Sequence, residues 1–211
     1  MPAASKAMAK VREEAAACTR CPLYRLGTQT VFGEGRVPCS VMLVGEQPGD
    51  QEDLQGRPFV GPAGRILDRA LAQAGIDRSL VYVTNAVKHF KHVPRGKRRI
   101  HQRPNAGEIG RCKWWLDLEL KLVRPTVVVA LGATAARALL GRPTQIQASR
   151  GRELQLGPRQ HLVVTTHPSS LLRLPDSDAK ALQLRRLVAD LALAARLAPA
   201  VLQPPSDSSS A

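Results

Sequence analysis

Acidic residues are scarce in this sequence. Its 211 residues include 17 Asp and Glu against 31 Lys and Arg, which gives a formal net charge of +14. A surface of this kind attracts polyanions, so nucleic acid is the first partner to expect and an anionic membrane the second.

A long apolar run is absent as well. No segment reaches the roughly 20 apolar residues that a membrane-spanning helix needs. The first residues carry charges, unlike the apolar centre of a secretion signal. We expect a monomer in the bacterial cytoplasm, associated with the nucleoid and with no membrane. There is also no Gly-x-x-x-x-Gly-Lys loop, which argues against a nucleotide-binding protein of that class.

Cysteine is rare, with four residues that are too widely spread for a disulfide scaffold, so a metal or redox site is the more natural use of them. Cys18 and Cys21 follow a predicted helix, whereas a thioredoxin-type pair follows a strand. Together with Cys112 they need a fourth ligand. The candidates for it are His89, His92 and Cys39. Three Cys and one His also suit structural zinc, and spacing alone does not separate zinc from an iron–sulfur cluster.

Strands and helices alternate along the chain. Short apolar runs predict strands at 40–44, 80–84, 126–131 and 161–165, and helical spacing predicts helices at 3–17, 61–75, 105–122, 133–140 and 178–197. The segment 88–104 is predicted to be a loop. This alternation predicts an α/β fold with three α/β/α layers around a four-stranded parallel sheet. We expect one domain over 1–202 and a disordered tail over 203–211.

Chemically useful residues follow the predicted strands, where parallel sheets bind ligands. Glu46 lies one residue beyond the first strand, in a Gly- and Pro-rich turn. His167 follows the fourth strand and can donate a hydrogen bond to an anion. Ser169 and Ser170 can bind phosphate, and the next two leucines could form an apolar wedge in DNA.

A basic segment follows the second strand. Residues 88–103 contain seven Lys or Arg and no acid, so the segment is expected over the predicted site. Its nucleophile is His101, because a neutral imidazole can attack a carbon electrophile.

Several of these motifs together resemble one known family. They are Cys18-Thr-Arg-Cys21, Gly45-Glu-Gln-Pro-Gly49, Pro58-Phe-Val-Gly-Pro-Ala-Gly64, Thr84-Asn-Ala-Val-Lys88 and His167-Pro-Ser-Ser170. In this order the chain resembles the uracil-DNA glycosylase superfamily, and within it the iron–sulfur family 4 branch. Gly45–Gly49 with Lys97-Arg-Arg-Ile-His101 is similar to the UdgX group, whose members are joined covalently to uracil-containing DNA through the histidine of this loop.

The resemblance implies a role for individual residues. Phe59 would stack on a flipped uracil, Asn85 would read its edge, and Gln47 would also contact it. His167 would stabilise the charge on uracil O2, and Glu46 is the acidic residue of the first motif.

The resemblance also implies DNA contacts and a cofactor. The expected DNA-binding residues are Lys97, Arg98, Arg99, Ser169, Ser170 and Leu171. Cys18, Cys21 and Cys112 match the ligands of a [4Fe-4S] cluster. His89 stands where the family has its remaining cysteine, so we favour it over Cys39 as the fourth ligand.

The sequence therefore predicts a uracil-DNA glycosylase whose His101 captures the sugar C1′ in a single turnover. One alternative is an ordinary family 4 enzyme that turns over. A second is a non-catalytic DNA-binding module that holds structural zinc.

Overall fold

The computed structural model describes residues 3–198 and residue 200. Its α-helices are, in chain order, α1 (Ala3–Ala16), α2 (Asp50–Gln55), α3 (Pro62–Gln73), α4 (Ala106–Val123), α5 (Ala133–Leu140), α6 (Ile146–Ser149), α7 (Ser169–Leu172) and α8 (Ser177–Leu197). Its β-strands are β1 (Glu34–Gly35), β2 (Val41–Gly45), β3 (Tyr82–Asn85), β4 (His92–Arg95), β5 (Arg98–His101), β6 (Val127–Leu131), β7 (Glu153–Gly157) and β8 (Gln160–Thr165). The predicted disordered tail, 203–211, lies outside the described residues.

The central sheet has the strand order β1-β3-β2-β6-β8-β7. Its middle four strands are parallel and correspond to the four predicted strands, so the predicted fold class is confirmed. The sheet is wider than predicted, because β1 and β7 pair with it antiparallel at the two edges. Neither edge strand has the continuous apolar run of a buried strand: β1 has two residues and β7 is half exposed.

Helices cover both faces of this sheet. On one face α1, α4 and α5 enclose a core that contains Trp115 and Leu116. On the other face α3 and α8 pack together, with Leu67 and Leu71 on α3 and Leu187 and Leu191 on α8 fully buried. The four-residue spacing within each helix places its leucines on one face, which is why these segments form helices that pack on the sheet.

The basic segment is not the loop that was predicted for 88–104. It contains a hairpin in which β4 and β5 pair antiparallel, with His92 opposite His101 and Arg95 opposite Arg98. The two-residue turn between them contains Gly96 at a φ of 57°, a conformation that suits glycine in a tight hairpin turn. The hairpin has few apolar side chains, with Val93 paired opposite Ile100 on its exposed surface, so the sequence shows no sustained alternation of apolar and polar residues.

No helix in the described part of the chain combines the length and the apolar character needed to cross a membrane.

Candidate active site

A cleft of about 710 Å³ opens at the carboxyl edge of the parallel strands. Glu46, His101 and His167, the three residues predicted to be catalytic, all line it. They come from three different places: the end of β2, the end of the hairpin and the end of β8. A second groove, of about 810 Å³, contains none of them, and its Arg57 is paired with Glu34. We therefore assign the chemistry to the first cleft.

Glu46 is held between two donors. Thr134 Oγ1 donates a hydrogen bond to Oε2 over 2.5 Å, and His101 Nε2 lies 3.2 Å from Oε1. Burial alone would raise the pKa of Glu46, but the hydrogen bonds from His101 and Thr134 outweigh it and hold this pKa below its ordinary value. At neutral pH Glu46 is consequently a carboxylate that can stabilise a positive charge in the cleft.

The hairpin delivers His101 to this carboxylate. His101 is the last residue of β5, and half of its side chain is exposed. The ring is tilted by 45° against Phe90, with 6.2 Å between the two ring centroids. Its position on the rim makes one edge of the imidazole accessible to a ligand in the cleft.

His167 has a defined protonation state. The backbone N–H of Ser169 donates to Nδ1 over 3.2 Å, and the Ser169 hydroxyl lies 2.8 Å from the same nitrogen. Burial lowers the pKa of His167 to about 4, against a smaller opposing effect of Glu46. A neutral ring that accepts at Nδ1 carries its proton at Nε2, so His167 presents a donor to a ligand at neutral pH.

Phe59 and Asn85 lie together beside Gly45. A Cβ at position 45 would stand 2.3 Å from Asn85 Oδ1 and 2.7 Å from Phe59 Cζ, so only glycine leaves room for both side chains. Phe59 has a φ of 58°, in the left-handed region that non-glycine residues rarely adopt. Its ring is stacked near that of His167, with centroids 6.0 Å apart and planes at 26°. Asn85, 1% exposed, donates from Nδ2 to Glu52 Oε2 over 3.4 Å.

The side chain of Gln47 forms hydrogen bonds to the residues that flank the hairpin. Its amide nitrogen donates to the carbonyls of Lys91 and Gln102, over 3.2 and 3.0 Å, and its amide oxygen accepts from the N–H of Lys91 over 3.1 Å. These bonds fix both ends of the segment that carries His101. Gln47 lines the cleft, and its backbone is what remains for contact with a ligand.

Of the three cations predicted to bind DNA, Lys97 and Arg98 are exposed at the hairpin tip. Arg99 is bonded to α2: its Nε lies 2.6 Å from Asp50 Oδ1 and its Nη1 lies 2.6 Å from Asp53 Oδ2. Asp53 is fully buried. Arg99 therefore anchors the hairpin to the domain, and its predicted contact with DNA stays a prediction.

We expect Arg99→Ala to lower the free energy of unfolding by about 2 kcal/mol, because it leaves the buried carboxylate of Asp53 without its cation. Urea denaturation of the purified variant measures this. The matched control is Arg98→Ala, at an exposed position, where the change should stay within about 0.5 kcal/mol. Equal effects of the two substitutions would show that Arg99 is no anchor.

The segment after His167 has one buried and one exposed leucine. Leu171, expected to contact DNA, is 5% exposed and packs into the protein, whereas its neighbour Leu172 is 51% exposed. Ser169 is engaged with His167, and Ser170 lines the cleft. The exposed apolar side chain in this segment is thus Leu172.

Comparison with known proteins identifies the family. The model of the uracil-DNA glycosylase superfamily matches residues 32–192, which include every residue of the cleft. The chain belongs to the uracil-DNA glycosylase superfamily.

Several relatives within this superfamily are type-4 uracil-DNA glycosylases. The one from Thermotoga maritima is 37% identical over 179 residues, covering 84% of this chain and 87% of the relative. That from Pyrobaculum aerophilum is 36% identical over 173 residues, covering 79% and 85%. That from Archaeoglobus fulgidus is 33% identical over 169 residues, covering 77% and 81%.

The four favoured cluster ligands, Cys18, Cys21, His89 and Cys112, are all buried. Cys18, Cys21 and Cys112 are buried in the same core, and Trp115 Nε1 donates to Cys18 Sγ over 3.0 Å. His89 is buried shortly before the hairpin, with Nε2 3.0 Å from Thr30 Oγ1. Cys39 precedes β2, packs against the same core and donates to the Val41 carbonyl. Among the described residues, no three Cys, His, Asp or Glu side chains converge on one point where a single metal ion could bind.

The sequence did not point to some residues of the site. Thr134 lies in the helix predicted over 133–140, but nothing indicated that it would bond Glu46. Glu52 lines the cleft and is buried, which raises its pKa. Lys88 and Glu119 form a fully buried ion pair directly beneath Asn85. Such contacts join residues far apart in the chain, and no local pattern marks them.

Proposed function

We propose that this protein removes uracil from DNA, and that His101 then forms a covalent bond to the sugar. The observation that carries the proposal is the arrangement of Glu46, His101 and His167 around one cleft, with His101 Nε2 3.2 Å from Glu46 Oε1. An anion, a nucleophile and a neutral donor are the three groups that excision and capture need.

Recognition of uracil is assigned to Phe59, Asn85 and the backbone of Gln47. The aromatic face of Phe59 would stack on the flipped base. The amide of Asn85 can accept from uracil N3–H and donate to O4, whereas cytosine presents the opposite pattern at these atoms. The C5 methyl group of thymine would clash with the wall of the pocket.

Cleavage separates charge, and the site has a group for each sign. As the bond between C1′ and the base breaks, the sugar becomes positive and the uracil negative. The Glu46 carboxylate stabilises the sugar, and the Nε2–H of His167 donates to uracil O2. Because both groups are positioned beforehand, they act without reorganisation in the transition state.

Capture then replaces hydrolysis. The electron pair of the broken C1′–N1 bond leaves with uracil. Once His101 Nε2 has passed its proton to Glu46, the lone pair freed on this nitrogen forms the new bond to C1′. The proton that Nε2 shares with Glu46 passes to the carboxylate and, through solvent, to the uracil anion. Free uracil and a protein–sugar adduct are the products, and no other reactant is consumed.

An ordinary turnover enzyme is the second candidate. It is favoured by the type-4 relatives and by the engagement of His101 Nε2 with Glu46, which suits a histidine that only orients the carboxylate. In that case water captures C1′ and the protein is released.

Uracil-containing DNA is the proposed partner in both cases. Its phosphates would contact Lys97 and Arg98, which are exposed at the hairpin tip, and Ser170 in the cleft. The apolar contact would come from the exposed Leu172, because Leu171 is buried.

A [4Fe-4S] cluster is the proposed cofactor, with Cys18, Cys21, Cys112 and His89 as ligands. Burial raises the pKa of Cys21, and that of Cys112 to about 12, so both thiols are suited to deprotonation only beside a cation such as iron. His89 Nδ1 is buried and has no hydrogen-bond partner among the described residues. The cluster would supply iron–ligand bonds that tie the segment after α1 to α4. The zinc alternative has no support, because four zinc ligands must converge on one ion.

The test uses the purified protein and a uracil-containing oligonucleotide. A denaturing gel should show a slow-migrating protein–DNA band, and uracil release should stop near one equivalent per protein. Turnover far beyond one equivalent without the band would favour the ordinary enzyme. If the protein binds DNA equally with and without uracil and releases no base, it is a non-catalytic DNA-binding module.

A separate prediction concerns Thr134. Glu46 must be ionised, so the rate should fall as the pH drops through the pKa of Glu46. Thr134→Val removes a donor that lowers this pKa, and the acid limb of the single-turnover pH–rate profile should move to higher pH. The rate at neutral pH should change little.

Other titratable groups also face Glu46, namely His101, Arg103 and His167. They remain in the Thr134 variant, so only the contribution of the hydroxyl is removed. Thr134→Ser keeps that hydroxyl and should restore the wild-type profile. A profile that is the same for valine and serine would mean that Thr134 does not stabilise the carboxylate.

A further inference from the structure

Lys88 and Glu119 form an ion pair that is closed to solvent. Both side chains are 0% exposed, and Nζ lies 2.5 Å from Glu119 Oε2. The ammonium also donates to Thr84 Oγ1 over 2.6 Å and to the backbone carbonyl of Asn85 over 2.7 Å. Its three protons are thereby all used.

Glu119 is equally well satisfied. Oε1 accepts from the N–H of Gly33, from Tyr82 OH and from Thr84 Oγ1, over 3.0, 3.0 and 2.9 Å. A buried ion pair is nevertheless a weak source of stability, because removing two charges from water costs about as much as their attraction returns. An apolar pair of similar volume would serve a core equally well, so the presence of charges here needs another explanation.

The position of Lys88 provides one. It follows β3 by three residues, and β3 ends at Asn85, the residue proposed to read uracil. The backbone N–H of Lys88 donates to Cys112 Sγ on α4 over 3.1 Å, and its side chain reaches Glu119 two turns further along the same helix. Residue 88 is therefore tied to α4 twice and to the main chain of Asn85 once.

Asn85 is held from its other side as well. Its amide nitrogen donates to Glu52 Oε2 over 3.4 Å, and a carboxylate accepts only, so this contact turns the nitrogen toward Glu52. Lys88 holds the carbonyl of Asn85 in addition to the pairing of β3 with β2, and Glu52 holds its side chain. Hydrogen bonds to a base require the amide to be placed within a few tenths of an ångström.

We propose that Lys88 is a positioning residue for base recognition, which holds the main chain of Asn85 so that its amide meets the uracil edge. This inference rests on the proposed function, since it needs Asn85 to contact uracil. It assigns to the buried ion pair a role in specificity as well as in the fold.

The experiment compares wild type with the double variant Lys88→Met/Glu119→Gln. Made together, the two substitutions leave no buried charge unpaired, and the amide oxygen of the new side chain at position 119 can still accept from Tyr82 and Thr84. Three quantities are measured: the inhibition constant of free uracil, the single-turnover rate of uracil release, and the dissociation constant for uracil-free DNA. Iron content and urea denaturation verify that the variant is loaded and folded.

We expect the inhibition constant of uracil to rise about tenfold or more and the rate to fall by a similar factor, because lost base contacts are each worth about one factor of ten. The dissociation constant for uracil-free DNA should stay the same. A purely structural pair would lower stability and leave the inhibition constant of the folded protein unchanged, which would overturn the proposal. Failure of the double variant to fold would also overturn it.

A matched control is a second, largely buried ion pair, in which Arg150 Nη2 lies 2.8 Å from Asp190 Oδ2. The double variant Arg150→Met/Asp190→Asn should alter stability without changing the inhibition constant of uracil, because neither residue contacts Asn85. If both double variants raise the inhibition constant of uracil by the same factor, the effect is general and Lys88 has no special role. Absence of uracil release by wild type would count against the proposed function instead.

Discussion

Replacing His101 by alanine is expected to abolish the covalent protein–DNA band and to leave a protein that still releases uracil. Glu46 and His167 remain in the cleft, so the sugar cation and the uracil anion are both still stabilised. Water then takes the place of the imidazole at C1′. We expect the adduct to fall by about 100-fold or more, since the nucleophile itself is removed. The number of uracils released per protein should exceed one.

His92 offers the control for this substitution. It pairs with His101 across the hairpin, yet it does not line the cleft. His92→Ala should therefore retain the band at wild-type intensity. A band that persists in His101→Ala would identify another residue as the nucleophile. If wild type forms no band and both variants turn over alike, His101 only assists an ordinary glycosylase.

The second large effect is expected for Glu46→Gln. The amide keeps the size of the side chain and can still contact Thr134 and His101, but it carries no charge to stabilise the sugar cation. We expect the single-turnover rate of uracil release to fall by about 10²–10³-fold, the loss typical for one preorganised electrostatic group. The covalent adduct should decline in parallel, since capture follows cleavage.

Glu34→Gln is the corresponding control. Glu34 is an acid of the other groove, where it pairs with Arg57, and its neutralisation should leave the rate unchanged. A rate for Glu46→Gln within a factor of about three of wild type would remove Glu46 from the mechanism, because such a factor is less than 1 kcal/mol of transition-state energy.

Several residues of the candidate site could be located from the sequence alone. Glu46, Asn85 and His167 follow three of the four buried strands, and parallel strands bring their carboxyl ends to one edge. The helix predicted over 133–140 has the observed bounds of α5, because its apolar spacing ends at a glycine. Local patterns of this kind are encoded within a few residues.

The role of the hairpin could not be predicted from the sequence. Arg99 and Lys97 belong to the same run of cations, yet one is bonded to the buried Asp53 and the other is exposed. Composition shows how many charges a segment has, but only packing shows which of them has a partner. The partner of Arg99 lies 46 residues earlier in the chain, so no short window contains both.

The amino-acid sequence was sufficient for the class of fold, the edge of the sheet that holds the site and the basic character of the surface, because periodicity, strand-end position and charge are local or additive properties. The tertiary structure decided that Leu172 and not Leu171 is exposed, that Gln47 and Arg99 hold the hairpin, and that Lys88 lies beneath Asn85. In a helix as short as α7, and in contacts between distant segments, the direction of a side chain depends on what packs against it.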